Sequence, residues 1–221
     1  MPKVSQTHLD ARRQQILDAA IECFSRDGFH RTTMQDIVRQ SGLSAGALYT
    51  YFNSKEEMIE AIAAGRRARE RGLILAASES AEFAAIFQRL VRGFSETLLD
   101  PGERQGRRLA LQLWTEALRN PRILRTVRAG VDPPRKMLAK IVQAACKRGE
   151  LPKDLDPDAT ARVMIALFQG FALQLAWEPS APVEPYVRAV EMIFAALSTK
   201  PEKATRTKAL GSTRARPQVD L

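Results

Sequence analysis

The sequence predicts an all-α protein, and three observations carry the prediction. Apolar residues recur three and four positions apart along most of the chain, the spacing that gathers them on one face of a helix. Sustained alternation of polar and apolar residues between turn pairs, the mark of strands, is almost absent. Capping residues and glycine or proline breaks divide the chain into helix-sized pieces.

A first helix is expected over about 9–26. Thr7 and Asp10 have the spacing of a capping box, in which a hydroxyl and a carboxylate satisfy free amide donors. Ile16, Ala19, Ala20, Cys23 and Phe24 form one buried stripe. Asp27-Gly28 stops the helix, because glycine accepts the left-handed conformation of a C-terminal cap. A second helix starts at Thr33, with Asp36 three residues on and Ile37 and Val38 inward, and ends at Gly42. A third runs from Ser44 to about Phe52. A fourth starts at Ser54 with Glu57, passes through Met58, Ile59 and Ile62, and continues beyond Arg71.

Longer helices are expected over 81–99, 103–119, 121–129, 134–148, 158–177 and 183–197. The breaks are Asp100-Pro101-Gly102, Asn120-Pro121, Asp132-Pro133-Pro134, 149–157 and 178–182. Asp156-Pro157-Asp158 suits a helix start: proline fits the first turn, and acids suit the positive end of the helix dipole.

The chain has 221 residues, 45% of them apolar, enough for a real core. Its net charge of +9 suits a polyanionic partner, nucleic acid or an acidic membrane surface, or simply a solvated basic surface. The first 60 residues are roughly neutral; the excess lies in Arg66-Arg67-Ala68-Arg69, in 104–148 and after Lys200. Cys23 and Cys146 are far apart on apolar helix faces and read as buried thiols in a reducing compartment. His8 and His30 have no partner at metal-ligand spacing, so neither a metal nor another cofactor is expected. No signal-peptide pattern is present. The longest apolar stretch, 163–177, is interrupted by Gln169, Gly170 and Gln174, so a membrane span of roughly 18–20 residues is not expected and the location is read as cytoplasmic.

The informative stretch is 32–52. Two short helices joined by a turn containing Gly42 make a helix-turn-helix. The second begins with Ser44, Ala45, Gly46 and Ala47, small residues that let a helix end approach a groove wall; its amides and the Ser44 hydroxyl suit a phosphate. Tyr49, Thr50 and Tyr51 offer hydroxyls to phosphates and rings or methyls to thymine in the major groove. Leu48 and Phe52, four apart, face the core, and Lys55 is placed for a further phosphate. The competing reading is one more helical hairpin in a bundle. Two aromatic hydroxyls on so short a helix count against it.

The order of residues also resembles the N-terminal domain of the TetR/AcrR family of transcriptional regulators. The resemblance rests on Ile16-Leu17-Asp18-Ala19-Ala20, Phe24, Gly28-Phe29, Thr32-Thr33, Ile37-Val38, Gly42-Leu43-Ser44, Gly46, Leu48-Tyr49, Tyr51-Phe52 and Lys55-Glu56, all at the family's spacing over about fifty residues. It implies a homodimer in which three helices bind a double-stranded DNA operator and the remaining helices form a ligand-binding and dimerisation domain. The domains are then 1–53, 54–199 and a basic tail, 200–221, that reads as disordered. The resemblance assigns DNA contacts to Thr33, Ser44, Ala45, Gly46, Tyr49, Thr50, Tyr51 and Lys55. Some members have a basic residue where Ala45 stands, so a contact there is weakened.

Beyond the head, 116–121, 148–152 and Asp156-Pro157 resemble the BetI/AcrR-like C-terminal domain. Pocket candidates are the large apolar residues of the central helices: Phe87, Leu90, Phe94, Leu113, Trp114, Met137, Leu138, Ile141, Met164, Phe168 and Phe171. Taken singly, each is more often plain core than cavity lining. Together they suit an apolar or aromatic effector, and the scarcity of charge on these faces disfavours a highly charged one. Glu116 could face a cationic ligand or stand as an exposed or capping acid. Small residues on the last two helices suit a four-helix dimer interface: Ala166, Gln169, Gly170, Ala172, Leu173 and Ala176, with Ala189, Met192, Ile193 and Ala196. Packing of these helices within one chain is the alternative.

The expected function is a ligand-responsive regulator, a repressor by family habit. The alternative is an effector-independent architectural DNA-binding protein, whose binding would be steep in salt and nearly blind to sequence. An enzyme is not expected: no Ser/His/acid set, phosphate loop or metal cluster appears.

Overall fold

The computed structural model describes residues 6–79 and 82–198; the basic tail read at 200–221 lies outside them. Among the described residues there are helices and turns but no strand. The helices are α1 (Gln6–Asp27), α2 (Met34–Ser41), α3 (Ala45–Tyr51), α4 (Lys55–Ala77), α5 (Phe83–Leu99), α6 (Arg104–Glu116), α7 (Pro121–Arg148), α8 (Pro157–Trp177) and α9 (Val183–Ser198). A 3-10 turn, Pro101–Glu103, leads into α6.

The head is α1 to α3. Its core is Ile16, Ala20, Cys23 and Phe24 of α1 against Ile37 of α2 and Leu48 of α3, all fully buried. The same cluster continues without a gap into Met58 and Ile59 of α4, Leu109 and Leu113 of α6 and Ile123 of α7. The boundary at 53/54 therefore falls in a loop, but not between two separate cores. The body is built from α4 to α9. Phe83 and Phe87 of α5 pack with Val142 of α7 and Phe194 of α9, and Ile74 of α4 packs with Leu138 of α7 and Ala161 of α8.

Two expected features differ. α1 starts at Gln6, so Thr7 and Asp10 lie within it; Asp10 accepts a bond from Gln6 Nε2 at 3.1 Å instead of closing a capping box. The break expected at Asp132-Pro133-Pro134 is absent, because α7 runs through both prolines to Gly149. Two prolines remove two backbone donors, a cost of about 3 kcal/mol or more each in a helix interior. Buried Ile123 and Thr126 before them, and Leu138, Val142 and Ala145 after them, hold both halves in line. Packing on either side outweighs the local penalty.

α8 is the one helix among the described residues long and apolar enough, by length and composition, to cross a membrane, a test that helices of soluble proteins also pass. Only 22% of that stretch is buried within the chain. One flank faces the interior, and the other leaves Val163, Ala166 and Ala176 exposed, with Trp177 at 75% exposure.

Candidate DNA-binding head and internal cavity

Local chemistry sets the reading face of the head. Thr33 caps α2 in a reciprocal box: its hydroxyl accepts from the Asp36 amide at 3.2 Å, while Asp36 Oδ2 accepts from the Thr33 amide at 2.8 Å and hydroxyl at 2.6 Å. These Thr33 bonds, with Arg39 beside them, hold the Asp36 carboxyl down at about 2. Gly42 takes a left-handed φ of 67°, which ends α2 and turns the chain. Gln15 of α1 grips this turn, its Nε2 donating to the Ser41 carbonyl at 2.7 Å. Ser44 then caps α3, its hydroxyl accepting from the Ala47 amide at 3.2 Å.

With Leu48 and Phe52 buried beneath, α3 turns Gly46, Tyr49 and Thr50 outward beside the exposed Ser44 and Thr33. Tyr49 is 45% exposed, so its ring and hydroxyl are both available. Ala45 and Tyr51 are half-buried, and Tyr51 packs against the head core. Thr50 donates its hydroxyl to the Gly46 carbonyl at 2.9 Å and keeps a lone pair outward. An exposed phenol, hydroxyls and a small-residue helix start are the groups that read phosphates and thymine methyls.

Lys55 stands differently from the free cation expected. Its ammonium donates to the carbonyls of Phe29 and Thr32, each at 2.7 Å, reaches that of His30 at 3.4 Å, and lies 4.7 Å from the Phe29 ring centre. Burial lowers its pKa from the usual lysine value. It clamps the start of α4 onto the loop between α1 and α2. Glu116 grips the same loop from the other side. It is buried at 5% exposure, neither an exposed nor a capping acid, and its Oε2 meets His30 Nε2 at 2.7 Å and Arg119 Nε at 2.8 Å. Burial pushes the Glu116 carboxyl up, but the bonds from His30 and Arg119 outweigh it and the net shift is downward. With Glu116 ionised, His30 Nε2 is the donor. Arg119 Nη2 lies 3.0 Å from that nitrogen, which cannot accept while it donates, so the Arg119 Nε bond is the one that counts.

A cavity of about 180 Å³ opens among α4, α5, α6, α7 and α8. Phe87, Leu90, Phe94, Leu113, Trp114, Leu138, Met164 and Phe168 line it. Three of the expected residues do not. Met137 and Ile141 are packed into the core beside it, and Phe171 is buried in a stack on Tyr186 with ring centres 3.8 Å apart. Sequence reasoning missed the α4 wall: Ile62, Ala63, Arg66, Arg67, Glu70 and Ile74. The signal was present as i, i+4, i+8, i+12 spacing of Ile62, Arg66, Glu70 and Ile74, but the arginines read as surplus surface charge. Among the described residues no group of three metal-ligating side chains comes together.

Residues 16–62 match the family of bacterial regulatory proteins, tetR family, and residues 87–199 match the BetI-type transcriptional repressor C-terminal family. The chain belongs to the TetR family. It is a helix-turn-helix transcriptional regulator, and its relatives are regulators rather than enzymes. The TetR-family relative UidR of Escherichia coli is 25% identical over 194 residues, 88% of this chain and 96% of that protein. The uncharacterised regulator YfiR of Bacillus subtilis is 51% identical over 61 residues, 28% of this chain and 30% of that protein. The solved structure of Salmonella enterica GusR has a TM-score of 0.73 at 25% identity, covering 89% of this chain and 98% of that one.

In this TetR-family chain the residues expected at a dimer interface divide. Ala166, Ala176, Ala189 and Ala196 are exposed, with Met192 at 73% and Ile193 at 55% exposure. Gly170 and Leu173 are half-buried. Gln169 lines the cavity, and Ala172 is buried against Val183 and Val187 of its own chain. Exposed Val163, Trp177 and Leu197 extend the same apolar surface and were not anticipated.

Proposed function

We propose that this TetR-family regulator is a homodimeric repressor released from its operator by a small apolar or aromatic effector. Two heads set α3 into successive major grooves of a near-palindromic site, with Thr33, Ser44, Gly46, Tyr49 and Thr50 at the DNA. One observation carries the reading: two helices run from the cavity to the reading head. α4 lines the cavity from Ile62 to Ile74 and clamps the head loop through Lys55. α6 lines it at Leu113 and Trp114 and holds His30 through Glu116 two residues further on.

An effector that fits only one spacing of α4 and α6 favours that spacing. The two heads then no longer span both half-sites, and operator affinity falls. The exposed apolar residues of α8 and α9 support the dimer: Val163, Trp177, Met192 and Ile193 are left in water by a single chain and would be covered by their counterparts on a second copy.

Footprinting with the full chain at moderate salt tests this. A protected near-palindrome upstream of its own or a neighbouring gene is expected, resistant to excess unrelated DNA. Efficient competition by unrelated DNA, with a steep salt slope, would favour the architectural reading instead. Tyr49→Ala is expected to weaken the complex about tenfold or more, the scale of one lost contact, with helix content unchanged.

A further inference from the structure

The cavity wall is apolar apart from two neutral groups, Thr126 and Gln169, and one charged stripe on α4. That stripe places two arginines and one glutamate in the wall: Arg66, Arg67 and Glu70. Arg66 and Glu70 satisfy each other, with Nε to Oε1 at 2.9 Å. Arg67 has no carboxylate within ion-pair distance among the described residues, and it is half-buried. The cavity therefore presents an unpaired cation at the edge of an apolar space.

We infer that the effector is an apolar monoanion, a carboxylate on an aromatic or short alkyl body, whose anionic group pairs with Arg67. The inference rests on the reading of this cavity as the effector site. A neutral ligand would take water from the half-buried Arg67 without giving its guanidinium a partner in return. A cationic ligand would meet a net positive wall whose only carboxylate is already engaged. A dianion would leave one charge uncompensated. A carboxylate meets the guanidinium fork in two parallel bonds. A cavity of about 150 Å³ takes a benzene ring, so about 180 Å³ holds one ring and a short chain against Phe87, Leu90 and Trp114.

Three isosteres test this by calorimetry on the full chain at neutral pH: 3-phenylpropionate, 3-phenylpropanamide and 3-phenylpropylamine. The carboxylate is expected to bind at least about tenfold more tightly than the amide, with the amine weakest. Arg67→Gln should bring the carboxylate down to the level of the amide, and Arg67→Lys should restore part of the preference. Circular dichroism and melting temperature check that both variants fold. Equal binding of amide and carboxylate, or preference for the amine, overturns the anion assignment and leaves the cavity as an effector site. A carboxylate preference that survives Arg67→Gln overturns the role of Arg67. If none of the three binds at millimolar concentration, the effector-site reading falls together with the inference.

Discussion

Lys55 and Glu116 hold one loop, residues 28–33, from opposite sides, and each has a consequence that a simpler role would lack. A lysine that only met a phosphate could be replaced without loss of stability. Lys55→Ala instead leaves the Phe29 and Thr32 carbonyls without their donor. A loss of about 1–3 kcal/mol is expected from the unpaired groups, seen as a lower urea midpoint together with weaker operator binding. An unchanged midpoint would return Lys55 to a purely DNA-facing role. Glu116 makes a statement about pH. Its folded-state pKa lies below the ordinary 4.5, so the unfolded chain binds its proton first as the pH falls. Its contribution to stability is full above about 4.5 and is lost as the pH drops through the depressed value. The stability gap between wild type and Glu116→Gln should therefore be constant from neutral pH to about 5 and shrink below 4.5. A gap that widens in acid would contradict the sign of the shift.

At the scale of the element, α7 is the informative case. Its two prolines look like a break when only their own chemistry is considered. Pro133 is exposed and makes no side-chain contribution to the cavity, whereas Pro134 lines it. Pro133→Ala should restore a backbone donor within a helix that already exists, and so raise the melting temperature. About 3 kcal/mol is available, less the greater freedom that alanine gives the unfolded chain. Destabilisation by this change would mean that α7 depends on a bend at that point. The short helices of the head behave in the opposite way. α2 and α3 have fewer than ten residues each, and their limits follow from Thr33, Gly42 and Ser44, which act within one turn of themselves.

For the whole molecule, the exposed apolar residues of α8 and α9 are the reason to expect two chains. Met192 and Ile193 are among them. Met192→Glu with Ile193→Glu places like charges against each other across a two-fold interface, so sedimentation should report monomer at micromolar concentration. Operator affinity should fall steeply with it, because each head then binds a half-site alone. A double variant that sediments as a dimer would move the interface to another face.

The head was legible in the sequence because every device that shapes it is local: a capping box, a left-handed glycine, a serine cap and buried residues four apart. The all-helical class was legible for the same reason. Tertiary structure alone decided the rest. Arg66, Arg67 and Glu70 are unremarkable charges along the chain and become the charged part of a cavity wall once α4 is laid against α5 and α7. His30 and Glu116 are 86 residues apart, and no spacing rule joins them. Phe171 and Ala172 show the same limit in reverse: apolar periodicity says that a residue is inward, but which neighbour it meets depends on how helices distant in sequence pack.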